Sequence, residues 1–162
     1  MAETEVQTET EHTPPRFELE QTDDYSKYLL HSRSEILAVL RTLIQKGAMI
    51  TAHFDQGNSF LLTSMIALSA DNRQFILDVG SNEEMNQKAL LAKKLILTTV
   101  IDKVKIQFSL NSLAPSQYDG HPAFIAMLPE SLLRLQRREF FRLSTPIATP
   151  IRLTTTVRQA DN

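Results

Sequence analysis

From Met49 onward the apolar residues fall two apart, and this constrains the fold more than any other feature of the chain. Ile50, Ala52 and Phe54 alternate with Thr51 and His53, and Val104, Ile106, Phe108 and Leu110 alternate with Lys105, Gln107 and Ser109. A period of two sends successive side chains to opposite faces of a strand, so both stretches read as half-buried strands, the second with one wet face. Asp55-Gln56-Gly57-Asn58, Ala70-Asp71-Asn72-Arg73, Asp102-Lys103 and Asp119-Gly120 supply the turns between strands. Residues 60–68 are apolar on both faces, which predicts a central strand covered on two sides. Residues 74–79, 93–101 and 121–128 complete a set of roughly six strands, whose regular spacing favours a small antiparallel barrel over a sandwich.

Two helices interrupt this pattern. Ile36, Leu37, Leu40, Leu43 and Ile44 recur at helical spacing over residues 33–46, and Gly47 supplies a left-handed stop. Ser32 with Glu35, and Ser81 with Glu84, have the spacing of capping boxes, in which each side chain satisfies an amide at the helix start. A second, shorter helix is therefore predicted over 82–91, after Gly80. Residues 129–135 read as a helical turn.

Composition divides the chain into segments. Residues 1–30 carry Glu3, Glu5, Glu9, Glu11, Glu18, Glu20, Asp23 and Asp24 against Arg16 and Lys27, with Pro14-Pro15 between. Such a stretch is expected to stay disordered as a solubilising tail, with Phe17, Leu19, Tyr25, Tyr28 and Leu29 as its candidates for local docking. Residues 31–130 form the folded domain and 131–142 a linker. Residues 143–162, broken by Pro146 and Pro150, look like the opening of a second barrel.

Several chemistries are excluded by residue type. The chain has no cysteine and only four glycines, so it has no disulfide or thiolate metal site and cannot build a P-loop or a Gly-x-Gly-x-x-Gly loop. His12, His31, His53 and His121 lack metal-ligand spacing. Ser64, Ser69 and Ser109 lie outside any nucleophile elbow, and Asp55, Asp78 and Asp119 form no acid–base pair. A net charge of -2 gives no general attraction to nucleic acid or anionic membrane. No apolar run approaches the roughly 18 residues of a membrane span, and the acidic amino terminus is unlike a secretory signal. The expected location is the cytoplasm.

What remains is Gln136-Arg137-Arg138-Glu139-Phe140-Phe141-Arg142, with Arg134 just before it. Arg138 and Arg142 fall on one side of either a helix or a strand, about 6 Å apart in the first case and about 13 Å in the second. Guanidinium groups bind phosphate bidentately, pair with guanine O6 and N7 and stack on flat rings. A ligand with two phosphates and guanine would use all three modes. The plainer reading is a solvated basic surface.

The stretch Leu-Pro-Glu-Ser-Leu-Leu-Arg-Leu-Gln-Arg-Arg-Glu-Phe-Phe-Arg-Leu, residues 128–143, resembles the junction of YcgR-type flagellar brake proteins, where a PilZN domain meets a PilZ domain. The resemblance implies a mainly β fold: a small antiparallel split β-barrel, similar to flavin reductases, with an N-terminal helix and a short inserted helix. It also implies that Arg137, Arg138 and Arg142 take part in binding cyclic di-GMP, with no other cofactor and no enzymatic activity. The implied partners are flagellar motor proteins, at the basal body. The family's second motif, Asp/Asn-x-Ser-x-x-Gly, does not occur here, so the chain is expected to hold half of the nucleotide site and a truncated PilZ barrel. Two other readings stay open: a flavin-binding split-barrel oxidoreductase, and a nucleic-acid-binding barrel.

Overall fold

Phe17 is buried, and with it part of the acidic amino-terminal stretch leaves solvent. The computed structural model describes residues 17–136. Within them the expectation of a disordered tail through residue 30 is corrected. A 3-10 turn (Glu18–Glu20), the short helix α1 (Thr22–Tyr25) and a second 3-10 turn (Ser26–Tyr28) lead into strand β1 (Leu29–Leu30). This strap is held by Phe17, whose ring lies 5.0 Å from that of His53, and by Glu18, which accepts hydrogen bonds from Lys105 and Gln107, each at 2.9 Å. A composition rule counts acidic side chains as lost to water; here lysine and glutamine partners replace the water.

Helix α2 (Arg33–Lys46) has the predicted extent and buries Ile36, Leu37, Leu40 and Leu43. Gly47 ends it at φ 57° and ψ 40°, with Ala48 N–H donating to Leu43 C=O and Gly47 N–H to Ile44 C=O, the paired bonds of a left-handed helix stop. The predicted capping box does not form. Ser32 makes no side-chain cap, and its Oγ lies 2.9 Å from Ser34 Oγ instead.

Strands β2 (Met49–Phe54), β3 (Ser59–Leu68) and β4 (Gln74–Asp78) form an antiparallel meander. Helix α3 (Glu83–Leu91) follows, capped by the Asn82 side chain, which accepts from Met85 N–H, and not by Ser81. Then come β5 (Leu95–Ile101), β6 (Val104–Leu110), β7 (Ala114–Tyr118), β8 (His121–Met127) and β9 (Leu132–Gln136). The β5–β6 hairpin turns at Asp102 and Lys103, both at positive φ, as the twist of a two-residue hairpin requires. Three strands go beyond the sequence reading: β1 within the expected tail, β7, and β9 in place of the helical turn expected at 129–135.

The sheet has nine strands in the order β1-β9-β6-β5-β2-β3-β4-β8-β7. Flat, at about 4.8 Å between neighbours, β6 and β4 would be roughly 19 Å apart. Yet Phe108 on β6 and Phe75 on β4 meet edge to face, their centroids 6.0 Å apart. The sheet is therefore rolled around its core. A register shift between Met65 and Ala67 in β3 contributes to the bend, dividing that strand into a half paired with β2 and a half paired with β4. The mainly β, curled antiparallel architecture with few helices agrees with the expected fold.

One face of the rolled sheet points inward and carries Ile50, Leu61, Leu97 and Phe108, all buried. The other face is covered unevenly. On β3 the expectation of cover on both sides is corrected, since Phe60 and Leu62 are 55% and 50% exposed. On β6 the expected wet face is corrected in the opposite direction, because Gln107 is 1% exposed beneath the strap.

Candidate functional site

Of the residues that matter here, Arg137, Arg138 and Arg142 lie outside the described residues, and Gln136 is the last described one. The structure instead establishes where the chain stands just before them. Leu132 to Gln136 alternate as a strand, β9, bound to β6 through the pairs Val104↔Gln136, Lys105↔Leu135, Ile106↔Arg134 and Gln107↔Leu133. Gln136 opposite Val104 brings the end of β9 beside the Asp102-Lys103 turn.

The two faces of β9 meet different surroundings. Partners directly opposite in an antiparallel pair share a face, so Arg134 stands with Ile106 on the side of α2. There Arg134 and Gln136 line a cleft of ≈ 520 Å³ with Leu30, Glu35, Thr42 and Asp102. Asp102 is ion-paired with Lys46 at the end of α2. On the other side stand Leu133 and Leu135, 0% and 2% exposed, next to Gln107 and Lys105.

Glu18 joins the strap to that outer side. Its Oε1 accepts from Lys105 Nζ and its Oε2 from Gln107 Nε2, while Leu19 N–H donates to Gln107 Oε1 at 3.1 Å. Burial pushes the Glu18 carboxyl up, but the hydrogen bond and charge of Lys105, with the bonds from its own backbone and Gln107, hold it below its ordinary value. At the end of the strap, His53 lies between the rings of Phe17 and Phe60. Burial holds its imidazole below the usual histidine range, and its Nδ1 is buried without a hydrogen-bond partner among the described residues. Sequence reasoning missed the role of Glu18. The sequence carries no signal for it, because Gln107 shares its face of β6 with the polar Lys105 and Ser109.

Among the described residues no group of histidine and carboxylate side chains could hold a metal ion, and no helix is long and apolar enough to cross a membrane. The arrangement is suited to presenting a chain segment at a fixed place.

A family model described as flagellar regulator YcgR, PilZN domain, matches residues 28–134. The chain belongs to the PilZN family. This PilZN chain is 43% identical over 132 residues to a flagellar brake protein YcgR of Azoarcus sp. (strain BH72), covering 82% of this chain and 51% of that protein. It is 39% identical over 144 residues to a flagellar brake protein YcgR 1 of Dechloromonas aromatica (strain RCB), covering 89% of this chain and 54% of that one. Among solved structures it is similar to Escherichia coli YcgR in complex with c-di-GMP, with a TM-score of 0.66 and 27% identity over 70% of this chain and 49% of that one. It is also similar to the isolated YcgR-N domain from E. coli, with a TM-score of 0.64, 25% identity and coverage of 68% and 97%. The chain spans about half the length of the curated relatives it matches. The resemblance first seen at residues 128–143 thus extends across the whole PilZN fold. The family match stops at Arg134, ahead of the arginine cluster.

Proposed function

We propose that this PilZN domain is part of a cyclic di-GMP-responsive, non-enzymatic regulator of flagellar motility, and that Arg137, Arg138 and Arg142 supply one half of its nucleotide site. The observation that carries this reading is the likeness, over 70% of the chain, to a YcgR solved in complex with c-di-GMP. The naming of its sequence relatives as flagellar brake proteins supports the regulatory role. The partners in this reading are cyclic di-GMP and motor proteins at the cytoplasmic face of the flagellar basal body.

Mechanically, a ligand with two phosphates bridges Arg138 and Arg142 through charge-assisted hydrogen bonds. Each charge-assisted hydrogen bond supplies about 1.5–3 kcal/mol. The second half of the site comes from a motif that the 162 residues do not contain, so these residues alone bind the nucleotide weakly. Swimming speed tests the regulatory role. In cells carrying a longer protein that joins these residues to the second motif, raised cyclic di-GMP slows swimming, and Arg138→Ala removes that slowing. Equal slowing by the variant contradicts the role given to Arg138.

A further inference from the structure

We propose that residues 17–28 are a clamp on strand β9, pinned by Glu18, and that this clamp fixes the point from which the arginine segment departs. The inference deepens the nucleotide-binding reading and rests on it for its functional half.

Strand β9 is poorly secured by its own ladder. It has β1, two residues long, on one side, and on the other it pairs with β6 through four residues. Its outward leucines, Leu133 and Leu135, do not belong to the internal core, yet both are buried. They stand beside Gln107 and Lys105, the two residues that Glu18 holds. The turn at Ser26–Tyr28 lies against β9 and the turn at Glu18–Glu20 against β6. The strap thus crosses the outer face from His53 on β2, over β6, to β9, and then joins the sheet beside β9 as β1.

Glu18 is well placed as the pin because its side chain is only 12% exposed and both oxygens are engaged. A charge pair shielded in this way holds its geometry better than one in open solvent. Arg137 and Arg138 begin immediately after Gln136, so a β9 that slips or frays carries them with it. Glu18 is a positioning residue that acts on the ligand through β9.

Hydrogen exchange of the 162-residue chain tests the clamp without any ligand. Glu18→Ala speeds exchange of the β9 amides by about tenfold, in line with loss of a charge-assisted bond, and leaves β3 and β4 unchanged. Glu18→Gln, which keeps an acceptor for Gln107, gives a smaller increase, and 1 M salt speeds β9 exchange in the wild type but not in Glu18→Gln. Unchanged β9 exchange in both variants overturns the clamp. The functional half is read in the longer protein that carries the second motif. There Glu18→Ala weakens cyclic di-GMP binding by about tenfold, and unchanged affinity with faster β9 exchange overturns the positioning role alone. Absence of binding by the wild type contradicts the nucleotide reading while the exchange result still decides the clamp.

Discussion

Phe75 and Phe108 meet edge to face at 6.0 Å and 88° although β5, β2 and β3 stand between their strands in the ladder. Both rings are fully buried, and their contact joins the two sides of the rolled sheet. Phe108→Ala removes a large ring from a close-packed core and is expected to destabilise the domain by about 3–5 kcal/mol. Urea unfolding followed by circular dichroism measures it. A loss below about 1 kcal/mol would mean that the sheet is held closed by other contacts.

Acid should loosen the strap in two stages. His53 has a lowered pKa in the folded chain, so its contribution to stability is complete above its ordinary value of 6.5 and is lost as pH falls through the folded value. Glu18 is also lowered, so its contribution is complete above its ordinary value of 4.5 and is lost as pH falls through the folded value. Both effects have the same sign. Thermal stability is expected to decline below about pH 6.5 and again below about pH 4.5, with His53→Phe removing the first decline and Glu18→Gln the second. A flat profile in the wild type contradicts both assignments.

Asn86 is a buried amide with a defined task. Its Nδ2 donates to Gly80 C=O and its Oδ1 accepts from Gly80 N–H, both at 2.8 Å, tying α3 to the end of β4. Asn86→Ala leaves both Gly80 groups without this partner and is expected to cost about 1–3 kcal/mol, measured by chemical denaturation. Asn86→Asp keeps the acceptor and loses the donor, so its loss should be smaller at pH 7 only if the Gly80 N–H bond dominates.

The parts of the fold legible in the sequence are those decided by local chemistry. Gly47 stops α2 because its φ of 57° needs no side chain, and the alternation from Val104 to Leu110 paired as a hairpin about the expected Asp102-Lys103 turn. Competition between neighbouring side chains was harder to read. Ser32 turned to Ser34 instead of capping α2, and Asn82 rather than Ser81 took the cap of α3. The misreadings of the strap and of β9 have one physical cause. Leu132, Leu133 and Leu135 put apolar groups on both faces, which a strand tolerates only when both faces are covered. The cover for Leu133 and Leu135 comes from residues that composition assigned to solvent. Reading Glu18 as paired with Lys105, across 87 positions of sequence, requires tertiary structure.

The same limit applies to the candidate site. The spacing of Arg138 and Arg142 is visible in the sequence, and the structure adds the strand that leads to them, its register on β6 and the strap above it. The order of the strands around β9 depends on the rolling of the sheet, which no local period encodes.

Calorimetric titration of cyclic di-GMP into a chain that joins these residues to the second motif, wild type against Arg138→Ala and Arg142→Ala, tests the proposed nucleotide site most directly. The account predicts that the wild type binds and that each substitution, with the domain still folded, weakens binding at least tenfold, the loss of about one charge-assisted hydrogen bond. Wild-type affinity in both variants would contradict it.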